Sequence, residues 1–314
     1  MYDGETDPLK FPMIALLLAV AFTVSLFLFM RGFPRFGVNP LHAVIFSYYS
    51  CVLTGIVLLP DHGQLRAVAW LSAPTLLTLA LGSVFVAAFL LIGQTTLKVG
   101  VTAASLASNM ALVVPVLFGL LVFKNANKEY TAINYIGLVL ALVAVGLASV
   151  QKSGQGNEPG KRPAILLPLV LFAVVGANGT LINYVNMTYY RPDQSALFTA
   201  IACMGSIVVG STLLAMRVVF KGDKISWRSV AGGLLLGVPN ALSLYFLLAA
   251  LRSFGHSAAF VFPIFNILCM VGASAAAWLI FKERLQPLNR FGLALAVGAI
   301  VLISYQEISS LFTS

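Results

Sequence analysis

Long apolar runs alternate with short polar connections along the whole chain. A helix needs about 20 predominantly apolar residues to cross the hydrocarbon core of a bilayer, and each run has roughly that length. The pattern therefore predicts an all-α membrane protein with ten transmembrane helices. The runs cover residues 11–30, 41–59, 73–95, 101–123, 132–150, 164–187, 194–219, 229–251, 256–281 and 288–306.

One connection differs from the others because it is long, polar and rich in glycine and proline. It covers residues 152–163, with the sequence KSGQGNEPGKRP, and lies at the midpoint of the chain. Such a composition is typical of a flexible linker. We expect it to join two units of five helices each, residues 1–151 and residues 164–314.

The two units resemble each other in sequence. At an offset of 155 positions the matching pairs include Gly82 and Gly237, Gly100 and Gly255, and Asn134 and Asn289. At an offset of 152 positions they include Pro40 and Pro192, Phe46 and Phe198, and Cys51 and Cys203. Because five is an odd number, the second unit must enter the membrane in the opposite sense, which makes the repeat an inverted one. Inverted repeats are a recurrent architecture of secondary transporters, with the substrate site near the midplane where the repeats meet.

The composition supports a membrane location. Of the 314 residues, 60% are hydrophobic and only 9% are charged, and the mean hydropathy is +0.96. A soluble globular domain is about a quarter charged. The net charge of +9 comes from short clusters at the ends of the apolar runs, where lipid headgroups are the expected partners. Without aromatic residues interleaved among the bases, nucleic acid is not an expected partner.

The fourth and fifth runs of each unit carry short motifs that resemble a known family. The first block is Gly100-Val101-Thr102-Ala103-Ala104, followed by Pro115 and by Asn134-Tyr135-Ile136-Gly137. Its counterpart is Gly255-His256-Ser257-Ala258-Ala259, followed by Phe281-Lys282-Glu283-Arg284-Leu285 and Gly292. These blocks resemble the EamA-like repeat of the drug/metabolite transporter superfamily. The resemblance implies two repeats in ten helices and transport of a small solute. It also identifies Glu283 with the family's acid before the last helix, whereas the first unit has Asn125-Ala126-Asn127-Lys128-Glu129 in the matching loop.

No carboxylate lies in the middle of an apolar run, because every Asp and Glu falls in a tail, a connection or the last turn of a run. Small multidrug resistance proteins, which resemble half of this architecture, use a buried Glu to pair with cationic drugs and to carry protons. A buried acid is the physical requirement for that exchange. The sequence therefore disfavours a proton-coupled exporter of cationic drugs.

The apolar runs contain amides and hydroxyls instead. A neutral amide offers donors and an acceptor without the desolvation cost of a charge, which suits recognition of a polar solute inside a membrane. An intramembrane amide can equally bridge two helices. The candidate substrate-binding residues are Asn109, Asn266, Asn178, Asn183, Asn186, Asn240, Ser243 and Tyr245.

The function expected from these features is that of a secondary transporter, a permease or exporter that moves a small polar metabolite across the cytoplasmic membrane by alternating access. An alternative is a multi-span membrane protein that acts in assembly or sensing and transports nothing. An enzyme is not expected, since the runs hold no nucleophile with a base and no cluster of acids and histidines. Neither a metal nor a cofactor is expected, because the cysteines and histidines lack ligand spacing. The GxxxG motif formed by Gly233 and Gly237 favours internal packing over dimerisation, so the expected functional unit is a monomer.

The distribution of basic residues predicts the orientation. With ten spans, the side that holds both termini carries six Lys and Arg residues, and the opposite side carries thirteen. The positive-inside rule therefore places both termini outside the cell. The family resemblance implies the reverse, with both termini in the cytoplasm, and we take the arithmetic as the prediction.

Overall fold

In the computed structural model, the described residues are 10–59, 62–114, 131–149, 166–191, 194–253, 258–283, 287–303 and 305. Within these residues the secondary structure is helical, without β-strands. The ten longer helices are α1 (Lys10–Gly32), α2 (Pro40–Val57), α3 (Ala73–Lys98), α4 (Val101–Met110), α5 (Ala132–Ser149), α6 (Leu166–Tyr189), α7 (Ser195–Lys221), α8 (Trp227–Ser253), α9 (Ala258–Phe281) and α10 (Pro287–Ile303). A 3₁₀ turn (Phe33–Phe36) and a one-turn helix (Gly63–Arg66) lie in the connections. The predicted linker 152–163 lies outside the described residues.

Six of the helices are long and apolar enough to cross a membrane in the described part of the chain. They correspond to α1, α2, α3, α7, α8 and α9. The apolar stretches of α5, α6 and α10 are shorter, and α4 is described over ten residues. The protein is therefore an all-helical, multi-pass membrane protein.

Local sequence explains where several helices begin and end. The side chain of Asn39 accepts a hydrogen bond from the backbone N–H of Leu41, 3.0 Å away, and Pro40 occupies the first turn of α2. Both features are typical of helix starts. Helix α7 is capped at its C-terminus by Gly222, whose φ of 67° lies in the left-handed region that glycine tolerates best.

The helices of the two sequence units are interleaved. Helix α2 packs along α8, and α3 packs along α7. Helix α1 contacts α8 and α9, while α6 contacts α3 and α4. Three further contacts join helices at the same position in each unit: α2 with α7, α4 with α9 and α5 with α10. Each unit thus buries much of its apolar surface against the other.

Glycines allow two of these contacts to be close. A Cβ atom on Gly82 of α3 would collide with the backbone of Ser206 on α7, and one on Gly237 of α8 would collide with the backbone oxygen of Ser47 on α2. Gly233 meets α2 in the same way, at Ala43. The GxxxG motif of α8 therefore serves packing within the molecule, as predicted.

Helix α4 is interrupted where the sequence predicts one continuous run over 101–123. The helix ends at Met110, and Ala111 and Leu112 form a turn. Pro115, which follows in the sequence, has no N–H to donate to the Ala111 carbonyl four residues earlier. That carbonyl instead accepts a hydrogen bond from the N–H of Val114, at 3.0 Å. The described helix therefore ends within the run of residues 101–123 that the sequence predicted to be continuous.

Several connections meet at one end of the bundle, which we call the basic end. The guanidinium of Arg31 donates to the carbonyl of Leu97 at 2.6 Å, and Arg35 lies 5.0 Å above the ring of Phe281. These contacts join the end of α1 to the ends of α3 and α9. The other basic residues described on this end are Lys98, Arg217, Lys221, Lys224, Arg228, Lys282 and Arg290.

Glu283 has a defined structural role at the basic end. Its carboxylate accepts a hydrogen bond from the N–H of Val101, 3.2 Å away, at the first residue of α4. A negative charge is favourable there because the first N–H groups of a helix are unpaired and carry partial positive charge. Gly100, at φ 126°, leaves room for the carboxylate, and a Cβ at this position would collide with it. Glu283 of the second sequence unit thus caps a helix of the first.

Candidate functional site

Asn109 lies at the interruption of α4. Its side chain is 7% exposed, and its Nδ2 donates to the carbonyl of Ser105 at 2.6 Å, one turn back on the same helix. This hydrogen bond does not join two helices. The side-chain amide of Asn109 is therefore buried, and this bond does not connect it to another helix.

Asn266 lies on α9, the helix that packs against α4. It is 8% exposed, almost the same as Asn109, and Pro263 precedes it by one turn within the helix. A proline inside a helix leaves the carbonyl four residues earlier without its N–H donor, so Pro263 frees the carbonyl of Ala259, about two turns before Asn266. The two buried amides come from opposite sequence units.

A second polar group lies on α8 around Pro239. Ser243 is buried, and its hydroxyl donates to the carbonyl of Asn240 at 2.8 Å. The Nδ2 of Asn240 lies 3.9 Å from the Sγ of Cys51 on α2. Asn240, one of the predicted substrate-binding residues, therefore contacts the first sequence unit.

Cys51 has a second partner that the sequence analysis did not anticipate. Its Sγ lies 3.8 Å from the Sγ of Cys203 on α7, and both thiols are buried. The ring of the fully buried Tyr48 stands edge-on to Phe89 beside this pair. The match of Cys51 and Cys203 at the 152-position offset was the signal in the sequence that linked the two residues.

The remaining predicted substrate-binding residues lie apart from these groups or outside the described side chains. The Oδ1 of Asn178 on α6 is buried and has no hydrogen-bond partner among the described residues. Tyr245 is 44% exposed and stacks edge-on against Phe246, so it lies on the surface of α8. The side chains of Asn183 and Asn186 lie outside the described part of α6.

Buried hydroxyls at the end of α3 and on α4 were not among the predicted site residues. Within the described residues, the Oγ atoms of Thr95, Thr96, Thr102 and Ser108 are buried without a hydrogen-bond partner. A buried hydroxyl without a partner is costly, and a bound water or polar ligand would relieve that cost. Their types are too common in membrane helices for sequence alone to single them out.

The arrangement supports binding by neutral groups. Among the described residues there is no group of three or more His, Cys, Asp or Glu side chains that would hold a metal ion. Among the described residues, buried amides, hydroxyls and thiols lie on α2, α3, α4, α5, α7, α8 and α9. Such groups recognise hydroxyl, amide or carboxylate groups of a solute by hydrogen bonding.

Comparison with known proteins identifies a similar sequence and a similar fold. No family model matches the chain. An uncharacterized protein from Haemophilus influenzae is 23% identical over 270 residues, which cover 84% of this chain and 88% of that protein. A protein of known crystal structure matches with a TM-score of 0.52 at 13% identity, covering 92% of this chain and 98% of the other. The structural match shows that the fold recurs in another protein.

Proposed function

We propose that this protein is a secondary transporter of the EamA-like type, in which two inverted five-helix repeats move a small polar metabolite across the cytoplasmic membrane. The observation that carries the proposal is the placement of Asn109 and Asn266, equally buried, on the contacting helices α4 and α9. These helices hold the same position in the two units. An inverted repeat places its substrate site where such helices meet.

The pattern of helix contacts supports the inverted repeat. Exchanging each helix of the first unit with its counterpart five helices later turns the α2–α8 contact into α7–α3, and α1–α9 into α6–α4. Both members of each pair are present. The α4–α9 and α5–α10 contacts are unchanged by the exchange, as expected for contacts on a two-fold axis.

Side-chain contacts follow the same exchange. The hydroxyl of Ser50 on α2 donates to the carbonyl of Leu234 on α8, at 2.8 Å. In the exchanged pair, the hydroxyl of Ser206 on α7 donates to the carbonyl of Gly82 on α3, at 3.1 Å. Two independent interhelical bonds of the same kind support an approximate two-fold relationship between the units.

Alternating access requires the two units to move relative to each other around the site. Helix α4 ends at Met110, beside Asn109, and α8 and α9 are continuous helices that contain Pro239 and Pro263 one turn or less before their candidate amides. Discontinuous helices recur at transporter substrate sites because their free backbone groups contact the solute. The buried polar groups described around Asn109 and Asn266 are uncharged amides and hydroxyls, which suit a neutral or zwitterionic polar solute.

A thermal-shift screen of the purified protein tests the proposal. Amino acids, nucleosides, sugars and organic acids would be tested separately, since a ligand that binds the folded state raises its melting temperature. A hit confined to one chemical class, followed by flux of that compound into proteoliposomes, is the expected result. Stabilisation without flux would instead identify a sensing component, and the absence of both would favour an assembly role.

A further inference from the structure

We propose that His42 and Asp223 form a proton-binding site that links the two units at the basic end, with Arg217 competing for the same carboxylate. This inference rests on the proposed alternating access, because it assigns a proton to the control of one gate. The ligand is the proton itself, taken from the aqueous phase at the basic end.

His42 is a buried histidine that is available to accept a proton. It is the third residue of α2, and its side chain is 1% exposed. Neither ring nitrogen has a hydrogen-bond partner among the described residues. A buried imidazole in that state bears a desolvation cost, which a hydrogen bond to a carboxylate would offset.

The carboxylate nearest to His42 belongs to the other unit. The Oδ2 of Asp223, in the turn after α7, lies 3.9 Å from the Nε2 of His42. The same oxygen lies 3.4 Å from the guanidinium of Arg217, in the last turns of α7. Asp223 thus has two neighbours, Arg217 in its own unit and His42 on α2 in the other unit.

The charged groups around His42 can be traced through each helix that packs on α2. Helix α7 and the following turn supply Arg217 and Asp223. Helix α8 brings Arg228, whose guanidinium lies beside Gly37, before the start of α2. Helix α3 carries one charged residue, Lys98, at its last position. Asp223 is therefore the acid that an imidazolium at His42 would meet.

Protonation changes which contact Asp223 makes. A neutral His42 leaves the carboxylate with Arg217, and both charges then belong to the second unit. An added proton on the imidazole makes it a cationic N–H donor, which forms a charge-assisted hydrogen bond of about 2.8 Å once the groups approach by roughly 1 Å. Arg217, whose side chain is partly exposed, is then free to turn toward water or lipid headgroups. The proton binds α2 to the α7–α8 turn.

The link has a predictable conformational effect. The N–H of Asn39, beside His42, already donates to the hydroxyl of Ser229 on α8 at 2.9 Å, and Ser229 is buried in this contact. Separation of the units at the basic end would expose Ser229. Protonation of His42 therefore favours the closed basic end, and loss of the proton favours its opening.

Thiol labelling of Ser229→Cys in full-length protein in nanodiscs tests the inference without a transport substrate. A water-soluble maleimide would be applied between pH 5.5 and pH 8. Trp227→Cys, at an exposed position two residues away, corrects for the pH dependence of the reagent. The parent protein, whose cysteines are buried, gives the background.

We expect the corrected labelling rate at Ser229→Cys to fall by about fivefold as the pH is lowered, the order of shift that one partly exposed charge-assisted bond supplies. Adding His42→Gln should abolish this dependence, and so should Asp223→Asn, which leaves His42 in place. His62→Gln, which removes an exposed histidine beyond the opposite end of α2, should preserve it. Melting temperatures of all variants verify folding.

A corrected rate that does not depend on pH, or a dependence that survives both His42→Gln and Asp223→Asn, would overturn the proton site. These outcomes are separate from the fate of the transport proposal. A pH-dependent rate in a protein that moves no solute would keep the proton-linked closure and reject transport. Solute flux together with a pH-independent labelling rate would keep the transport proposal and reject the proton-linked closure.

Discussion

The Sγ atoms of Cys51 and Cys203 lie 3.8 Å apart, although 152 positions separate the two residues in the chain. That separation is one of the two offsets at which the halves of the sequence match. In the inverted repeat that we propose, the contact joins two equivalent positions, on α2 and α7. Contacts between equivalent residues occur only near a symmetry axis, so in the proposed arrangement this pair would lie close to the axis.

The cysteine pair predicts a cross-link between the units. Disulfide formation requires the sulfurs to approach to about 2.05 Å, a movement within the reach of side-chain rotation. With a protease site introduced into residues 152–163, treatment with copper–phenanthroline should leave the cleaved halves joined on a non-reducing gel. Reduction should separate them, and Cys203→Ala should prevent the link. Failure of the wild-type halves to join would place the two thiols apart.

Gly237 should tolerate no side chain. In Gly237→Ala the added methyl group meets the backbone of Ser47 and the hydroxyl of Ser50, so the helices must move apart, at a cost of about 1–3 kcal/mol. Gly298→Ala is the matched control, because a Cβ there meets no atom within 4 Å. Its expected effect is a small gain, roughly 0.5–1 kcal/mol, from the better helix propensity of alanine. Melting temperatures in detergent distinguish the two, and an unchanged value for Gly237→Ala would contradict the packing.

Asn134 fastens α5 to α10. Its Nδ2 donates to the carbonyl of Ile303 at 2.8 Å, and its Oδ1 accepts from the N–H and hydroxyl of Thr131. Asn134→Ala should therefore lower stability by about 1–3 kcal/mol, since it leaves buried groups unpaired. Asn289→Ala, at the repeat-equivalent position, should cost less, because its Oδ1 has no partner in the described structure. Equal losses in thermal unfolding would show that the bonds of Asn134 are not responsible.

The orientation in the membrane is a separate prediction. Thirteen of the 19 basic residues belong to the side of the basic end, so this end should face the cytoplasm. A single cysteine at Ser314, introduced into a protein without its native cysteines, should react with an impermeant maleimide in intact cells. A cysteine at Ser153 should react only after lysis. Reaction of Ser153 but not Ser314 in intact cells would reverse the orientation.

The hydrophobic pattern predicted the helices well because length and apolarity are local properties of the chain. Nine of the ten predicted runs correspond to helices that continue through most of the run, as in α3 and α7. The repeated glycines were also recognisable, since Gly82 and Gly237 each mark a close helix contact. The break after Met110 was missed because Pro115 acts on a carbonyl four residues away, and the apolar composition does not change there.

The long-range contacts could not be predicted from the sequence. Glu283 caps α4 from 182 positions away, and His42 meets Asp223 only because α2 and α7 pack together. Asn240 likewise contacts Cys51 across the two units. Residue type gave the chemistry of these groups, but their partners depend on tertiary packing, which one sequence does not specify.

The role of Asn109 and Asn266 is tested most directly by flux. Using the compound identified in the thermal-shift screen, initial rates of uptake into proteoliposomes would be compared for wild type, Asn109→Ala and Asn266→Ala. We expect each variant to lose at least about tenfold in rate, because one lost hydrogen bond of roughly 1.4 kcal/mol corresponds to that factor. Their melting temperatures without solute should stay close to that of the wild type. Variants that lose stability but keep the wild-type rate per folded molecule would contradict a substrate site at these amides and identify them as structural.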